Sequence, residues 1–414
     1  FTRIGAAAYK ADLTKTRQLC DAMGNPERAF PSLHIAGTNG KGSVSAFLSS
    51  ILMEEGRNTG LFTSPHLNDF RERIRVNGEM ISEEYVTEFV SKHQDTFEKV
   101  EPSFFEVSFA MACSYFKSKA VDCAVMEAGM GGRLDSTNLV RPVLTLVTNI
   151  GMDHMQFLGD TPAKIAAEKA GIFKSGIPAI VGEKDSETAG VFEQVAHELG
   201  ISLRFASEEY FSSKDDQSLE TSLMKVVITR KAEGRETGVM SPLLGQYQLK
   251  NLVTVMAAVD ELNRMHWDIS EEGIRKGIQH VIQNSGFGGR WQRLNSRPAA
   301  IADIAHNAAG IREVMAQVSQ LPYRNLHIVL GMVSDKDSAG ILPLFPAFAK
   351  YYFCRPDIPR GREASQLAEE AAFYGLKGGV YRCVSDAYQA ALESAASDDL
   401  VLVTGSAFVV AEVV

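Results

Sequence analysis

The sequence predicts an α/β chain built as two doubly wound domains, over residues 1–286 and 287–414. Three observations predict it. Short apolar runs alternate with helix-period segments almost throughout, the pattern of largely parallel sheets with helices between their strands. The 414 residues exceed what one hydrophobic core usually serves. A composition shift at NSGFGG, residues 284–289, interrupts the alternation, which then restarts. The remainder, about 125 residues, is a sensible domain length.

Each element follows from the order of residues. Leu33 to Ala36 read as a strand. After a glycine-rich turn, Val44, Phe47, Leu48, Ile51 and Leu52 keep helical spacing, and Gly56 sits where that helix should stop. A strand near 59–63 leads into IRVNGEMI, where Asn77-Gly78 signals a hairpin. Helices are expected over 83–97 and 104–117. VDCAVMEAG (121–129) and VLTLVTNIG (143–151) read as buried strands. Thr161-Pro162 caps a helix, and IPAIVG is a further strand. From 205 to 240 the pattern weakens, leaving a hairpin around MKVVITRKAEGRETGV that reads as a peripheral insertion. A helix resumes at GQYQLKNLVTVMAAVDEL. The second domain reads as strand AAIADIA, helix IREVMAQVSQL, strand LHIVLGMV, strand YYFC, helices at 364–374 and 385–396, and strand LVLVTG.

The totals narrow the function. A formal charge of −9 argues against a general nucleic-acid or membrane-surface binder. The five cysteines form no C-x-x-C pair, which argues against a zinc knuckle or a disulfide framework and for a reducing compartment. No apolar run is long enough to span a membrane. A cytoplasmic monomer acting on small molecules is the expectation.

HIAGTNGKGS, residues 34–43, is the sharpest signal. It departs from the usual G-x-x-x-x-G-K-[ST] loop, because its glycines are closer and Gly42 separates Lys41 from Ser43. Its context is nonetheless strand, glycine loop, helix. Backbone N–H groups of Thr38, Asn39, Gly40, Lys41, Gly42 and Ser43 beside a helix N-terminus suit phosphate oxygens, with the Lys41 ammonium nearby. Ligands of open α/β sheets collect at the carboxyl ends of strands. Ser64, Glu127 and Asp153-His154 stand at such ends, and together they suggest a Mg²⁺ site of hydroxyl, carboxylate and imidazole. Taken singly the plainer readings win, with Glu127 paired to Arg133 and His154 capping a loop. Lys169 lies mid-helix, where lysines are usually solvated. Arg290, Asp303, His306-Asn307 and Lys336 form a polar cluster on the second domain and suggest a cleft closed by domain movement.

These stretches, in order, resemble the folylpolyglutamate synthase/dihydrofolate synthase family of Mur-type ATP-dependent amide ligases. The resemblance is carried by HIAGTNGKGS, LFTSPHLNDFRERIRVNGEMIS, SFFE, MEAGMGGRLDSTN, NIGMDHMQFLG, AAEKAGIFKSG, LGQYQLKN, GGRWQRL, DIAHNAAG and LGMVSDKD. It implies an N-terminal domain like the Mur ligase central domain and a Rossmann-like C-terminal domain. It implies that GTNGKGS holds ATP, that Ser64 and Glu127 bind a first Mg²⁺, and that His154 binds a second. Lys169 matches the lysine that the family carbamylates to help hold that second metal. Asn251 would lie near the adenine, and Arg290 and Asp303 would reach the nucleotide. His306 and Ser406 would lie near the incoming L-glutamate, and Arg73 and Asp135 near the pterin. The chain departs from the family at Ser103, usually Thr, and at Ile304 and Ala308 in DIAHNAAG, usually Gly and Pro.

The implied reaction activates a carboxylate with ATP as an acyl phosphate, which the glutamate amine then attacks, with His306 as a candidate base. Folates are the implied acceptors. No residue separates tail extension alone from the additional joining of glutamate to dihydropteroate. Two other readings stay open. A UDP-muramoyl ligase would carry a further domain of about 100 residues before the loop, where this sequence has 36 residues before Gly37, and would have Thr directly after the lysine. A non-catalytic nucleotide-binding regulator would not need Glu127, His154 and Lys169 together.

Overall fold

In the computed structural model, which describes residues 12–214 and 222–414, three sheets organise the chain. The first has eight strands: β1 Ser32–Ala36, β2 Thr59–Phe62, β3 Ile74–Val76, β4 Glu79–Met80, β5 Cys123–Glu127, β6 Pro142–Val147, β7 Ala179–Val181 and β8 Leu203–Phe205, in the order β4-β3-β2-β5-β1-β6-β7-β8. From β2 to β8 the pairing is parallel. β3 and β4 are antiparallel and meet through Asn77 and Gly78, whose φ angles of 50° and 81° form the expected tight turn. Side chains alternate along β1, so Leu33 and Ile35 enter one core and Ala36 another. Helices Lys41–Glu54 and Gln248–Arg264 pack on the first face. On the opposite face Phe62, Ala124 and Met126 meet Phe109, Met111 and Phe116 of helix Phe104–Ser118.

The segment after 205 corrects the peripheral reading. It forms a second, antiparallel sheet of β9 Tyr210–Lys214, β10 Met224–Arg230 and β11 Arg235–Ser241. Tyr210, Met224, Val226, Ile228 and Val239 are buried in the same core as Leu33 and Ile35. Only one face of this sheet is apolar, so its mean composition is polar while its alternation is that of a half-buried strand. Residues 215–221 of that stretch lie outside the described residues.

The third sheet contains β12 Gln292–Ser296, β13 Ala299–Asp303, β14 Leu326–Leu330, β15 Lys350–Phe353, β16 Lys377–Val380 and β17 Leu400–Thr404, in the order β12-β13-β17-β14-β15-β16. All neighbours are parallel except β12, a polar edge strand that the sequence reading did not separate from the linker. Helices cover both faces, with Ile301, Ile328 and Leu402 facing one layer and Ala302, Val329 and Val403 the other. Both units are doubly wound, and their carboxyl strand ends face one shared cleft. Among the described residues no helix is long and apolar enough to cross a membrane.

One buried group makes stability pH-dependent. His34 on β1 is fully buried, with Nε2 2.8 Å from Thr137 Oγ1. Burial, reinforced by the Lys174 charge, pushes its pKa from 6.5 down to about 3. Between those values the unfolded chain binds a proton that the folded chain refuses. Stability therefore falls with decreasing pH across this window, by about 1.4 kcal/mol per pH unit for this group. Urea unfolding near pH 7 and near pH 5 checks this, and His34→Gln should lose less stability than the wild type between the two.

Candidate active site

The glycine loop leaves β1 at Ala36 and enters helix Lys41–Glu54 at Gly40, whose φ of 82° is the left-handed conformation that suits glycine. A side chain at Gly37 would collide with Thr148, whose Oγ1 lies 1.8 Å from an ideal Cβ, so the loop rides directly on the neighbouring strand end. The Thr38 amide donates to Asn149 O at 3.0 Å and the Asn39 amide to Asn149 Oδ1 at 2.9 Å. Those two N–H groups shape the loop rather than face a phosphate. The donors that remain for an anion are those of Gly40, Lys41, Gly42 and Ser43 at the helix start, where the first turn has no helical acceptors.

Two lysines converge on this loop. Lys41 Nζ donates to Gly37 O at 3.0 Å and Thr38 O at 3.1 Å. Lys169 Nζ donates to the same Gly37 O at 2.7 Å. Lys169 is not a solvated helix residue: it is 3 % exposed at the end of helix Pro162–Ala170. Burial, with the Lys41 charge adding to it, lowers its pKa from 10.5 to about 7. Burial also lowers Lys41, against the opposing pull of Glu127 and Asp153.

Around the loop stand the other strand-end residues. Glu127 closes β5, and the Ser64 amide donates to its Oε2 at 2.9 Å. Glu127 is 3 % exposed, and burial raises its carboxyl against the opposing charge of Lys41. The pairing of Glu127 with Arg133 does not occur, because Arg133 bonds Glu168 at 2.7 Å instead. His154 takes a left-handed conformation, φ 51°, and burial brings its pKa down to about 4. Among the described residues no cluster of three or more His, Cys, Asp or Glu side chains has metal-site geometry. Of the ligands the resemblance implied, Ser64, Glu127, His154 and Lys169, two are of these types.

The second domain closes over these groups through Asp153. Lys336 Nζ donates to Asp153 Oδ1 at 2.6 Å, Asn307 Nδ2 donates to Oδ2 at 3.1 Å, and His306 Nε2 lies 3.4 Å from Oδ2. Burial alone would raise this carboxyl. The bond from His306 and the charges of His306, Lys336 and His154 override it and hold Asp153 well below the usual range. Asn39 and Asn307 exchange amide bonds at 3.2 and 3.0 Å across the same gap. Tyr247 Oη donates to Asp303 Oδ2 at 2.6 Å, and the Trp291 and Ala305 amides also donate to that carboxylate. Arg290 lies over the Phe287 ring at 4.4 Å. An ideal Cβ at position 42 would stand 2.9 Å from Phe287, so any side chain there would push that ring aside.

The residues expected to bind nucleotide, metal or substrate line one cleft of about 520 Å³, and Asn307 of the polar cluster does not. Several do so as scaffolding. Both oxygens of Asp135 are engaged, accepting from Thr137 and from the Met130 amide, so it shapes the 129–137 loop rather than offering a free carboxylate. Ser406 Oγ accepts from the Val409 amide at 3.2 Å as a helix cap. Asn251 Nδ2 donates to Gln248 Oε1 at 2.7 Å, and its Oδ1 presses on Gly40. Arg73 is 1 % exposed, donates from Nε to His66 Nδ1 at 2.8 Å and lies over Phe104, and burial lowers its pKa to about 10. Ser103, the departure from the family's Thr, caps helix Phe104–Ser118 and shares a capping box with Glu106, work that either hydroxyl performs. Lys250, which the sequence reading left aside, also lines the cleft and bridges the two units through Glu183 and Glu313. Its only sequence signal is its place beside Asn251.

A phosphate loop facing strand ends of a second doubly wound unit defines the two-domain nucleotide-dependent ligases. Residues 35–259 match the Mur ligase middle domain, and residues 289–407 match the Mur ligase glutamate ligase domain. An Escherichia coli dihydrofolate synthase/folylpolyglutamate synthase is 35 % identical over 92 % of this chain and 85 % of its own length. A probable bifunctional folylpolyglutamate synthase/dihydropteroate synthase from Haloferax volcanii is 33 % identical over 96 % of this chain, which spans only 47 % of that relative's length. Among solved structures, E. coli FolC in complex with DHPP and ADP superposes with a TM-score of 0.87 at 32 % identity, covering 99 % of this chain and 94 % of that one. A bifunctional folylpolyglutamate synthase/dihydrofolate synthase with Mn, AMPPNP and L-glutamate bound gives 0.84 at 30 % identity, covering 98 % and 93 %. The chain belongs to the folylpolyglutamate synthase/dihydrofolate synthase family of Mur ligases.

The Asp153 contacts make the closed arrangement testable. Lys336→Met removes the 2.6 Å bond to a buried carboxylate, a loss of about 3 kcal/mol. Limited proteolysis of the 286–290 connection should then accelerate, and an unchanged cleavage rate would show that Asp153 does not hold the domains together.

Proposed function

We propose that this chain is an ATP-dependent ligase that joins L-glutamate to folates, extending the glutamate tail, and that it also joins glutamate to dihydropteroate. Residues 1–286 bind ATP and the pterin, and residues 287–414 bring the glutamate. The observation that carries the reading is the cross-domain closure: Asn39 of the phosphate loop bonds Asn307, so the glutamate-ligase unit stands directly over the phosphates' place. Relatives named for both activities match nearly the whole chain and support the dual assignment.

A carboxylate does not condense with an amine in water. ATP therefore phosphorylates the folate carboxylate, the glutamate amine attacks the acyl phosphate, and inorganic phosphate leaves. Lys41 and Arg290 oppose the charge on the transferring group from the two sides of the cleft. The second domain keeps water from the acyl phosphate. His306 is poorly set to be the base, since its Nδ1 meets Ile304 O at 3.0 Å and its Nε2 faces Asp153. It would first have to turn away from that carboxylate.

The residues suit a divalent cation. Ser64, whose amide bonds Glu127 Oε2, and Glu127 itself would supply hard oxygen donors, and burial lowers the His154 pKa to about 4, which favours the neutral imidazole a metal needs. Lys169 is the conditional member of a second site. An amine with a pKa near 7 is partly neutral at physiological pH, and neutral amine adds CO₂ with loss of one proton to give a carbamate. That change would convert a buried amine into a carboxylate-like oxygen donor in the cleft that His154 also lines. Mg²⁺ bound at these groups would neutralise the nucleotide's charge and polarise the phosphoryl group.

Phosphate release from ATP with L-glutamate and Mg²⁺, offered tetrahydrofolate, dihydropteroate or a UDP-muramoyl acceptor in parallel, tests the reading. Turnover with both pterins is the expected result. Turnover with tetrahydrofolate alone would restrict the enzyme to tail extension, and turnover only with the muramoyl acceptor would overturn the folate assignment. Nucleotide binding without turnover on any acceptor would favour a regulator. Lys169→Met should lower kcat by about a hundredfold, whereas a merely structural lysine would leave kcat near wild type in folded protein.

A further inference from the structure

The nucleotide loop is tied to a buried amide chain that none of its glycines explains. Gln248 opens helix Gln248–Arg264, is fully buried and does not reach the cleft. Its Nε2 donates to Ser43 Oγ at 3.1 Å, and its Oε1 accepts from Asn251 Nδ2 at 2.7 Å. Asn251 in turn lies hard against Gly40, where an ideal Cβ would stand 2.3 Å from its Oδ1. Helix Gln248–Arg264 therefore grips the loop at two points, Gly40 and Ser43.

Ser43 is the residue whose hydroxyl this arrangement orients. A serine in the first turns of a helix ordinarily donates back to the carbonyl four residues earlier. For Ser43 that carbonyl is Asn39 O, which accepts Thr148 Oγ1 at 2.5 Å and receives no bond from the Ser43 hydroxyl. On its other side Ser43 meets a donor, the Gln248 amide, which occupies one lone pair and offers the hydroxyl proton no acceptor. Ser43 is 3 % exposed, and the surface it retains lines the cleft. Its O–H is left to point there. A hydroxyl has one proton and two lone pairs, so a partner that donates to it fixes it as a donor towards whatever stands opposite.

We propose that Gln248 is a positioning residue for nucleotide binding: it holds the Ser43 hydroxyl as a hydrogen-bond donor facing the nucleotide's phosphate oxygens. The inference rests on the reading of residues 37–43 as a nucleotide loop, and it adds to the helix-start amides a side-chain donor whose direction is set from outside the loop.

The test is a double-mutant cycle read by equilibrium binding of AMPPNP with Mg²⁺, in the full chain and without folate or glutamate. Gln248→Met keeps the volume and removes the amide. It should weaken AMPPNP by roughly tenfold, the worth of one hydrogen bond to a charged group. Ser43→Ala should weaken it comparably, and the double variant no further than Ser43→Ala alone. In steady state the ATP KM should rise while kcat and the glutamate KM stay unchanged, which a general loosening of the helix would not produce. Gln248→Glu is the second variant, for use where Gln248→Met melts early. It still accepts from Asn251 but turns Ser43's proton inward, and it should also weaken AMPPNP. Unchanged AMPPNP affinity in both Gln248 variants, fully additive losses in the double variant, or no AMPPNP binding by the wild type would each overturn the proposal. Coupled losses in a protein that turns over no folate would leave the proposal standing and sink the ligase reading alone.

Discussion

Two side-chain ammonium groups share one carbonyl oxygen, that of Gly37, and much of the site follows from this crowding. With bonds of 3.0 and 2.7 Å to a common atom, the two nitrogens lie within about 6 Å of each other. At an effective dielectric near 20, two full charges at that separation repel by about 3 kcal/mol, before the cost of burial. Burial, with this repulsion adding to it, brings the Lys169 pKa down to about 7, and burial lowers Lys41 as well. The carbonyl can serve both lysines because Gly37 has no side chain and the loop sits directly on Thr148. Parallel pairing of Ala36 with Val147 brings that strand end to the loop.

The opposite charge arrangement holds the second domain. Asp153 gathers Lys336, His306 and Asn307 from one unit while its backbone belongs to the other. The Lys336 ammonium, the His306 imidazole and the Asn307 amide are thus arranged around a buried carboxylate, which ties domain closure to the strand end bearing His154. The phosphate loop joins the same junction through Asn39 and Asn307. The glycine loop and the closure therefore share atoms.

Much of this was legible because glycine spacing and strand-end position are local signals. The loop was readable from Gly37, Gly40 and Gly42, each of which the structure uses for close approach or a positive φ. The two-unit architecture was readable from the alternation of apolar runs. What escaped depended on tertiary packing. Lys169 has the local sequence of a solvated helix residue, and its burial arises only because Gly132 and Arg133 pack against residues 168–171. Gln248 looks like any polar residue in a helix, and its partner is 205 positions away in the chain. β12 and the β9–β11 sheet escaped because a strand with one wet face averages to a polar composition. Asp135 and Ser406 line the cleft, but their capping bonds appear only in three dimensions.

The neutral state of Lys169 is the claim on which the second metal site and the carbamate depend. It is tested most directly by ¹³C NMR of the folded protein equilibrated with ¹³C-bicarbonate near neutral pH. The account predicts a protein-bound carbamate resonance that is absent in Lys169→Met and that fades as acid protonates the amine. A spectrum without such a resonance, with Lys169 remaining a charged ammonium through neutral pH, would contradict it.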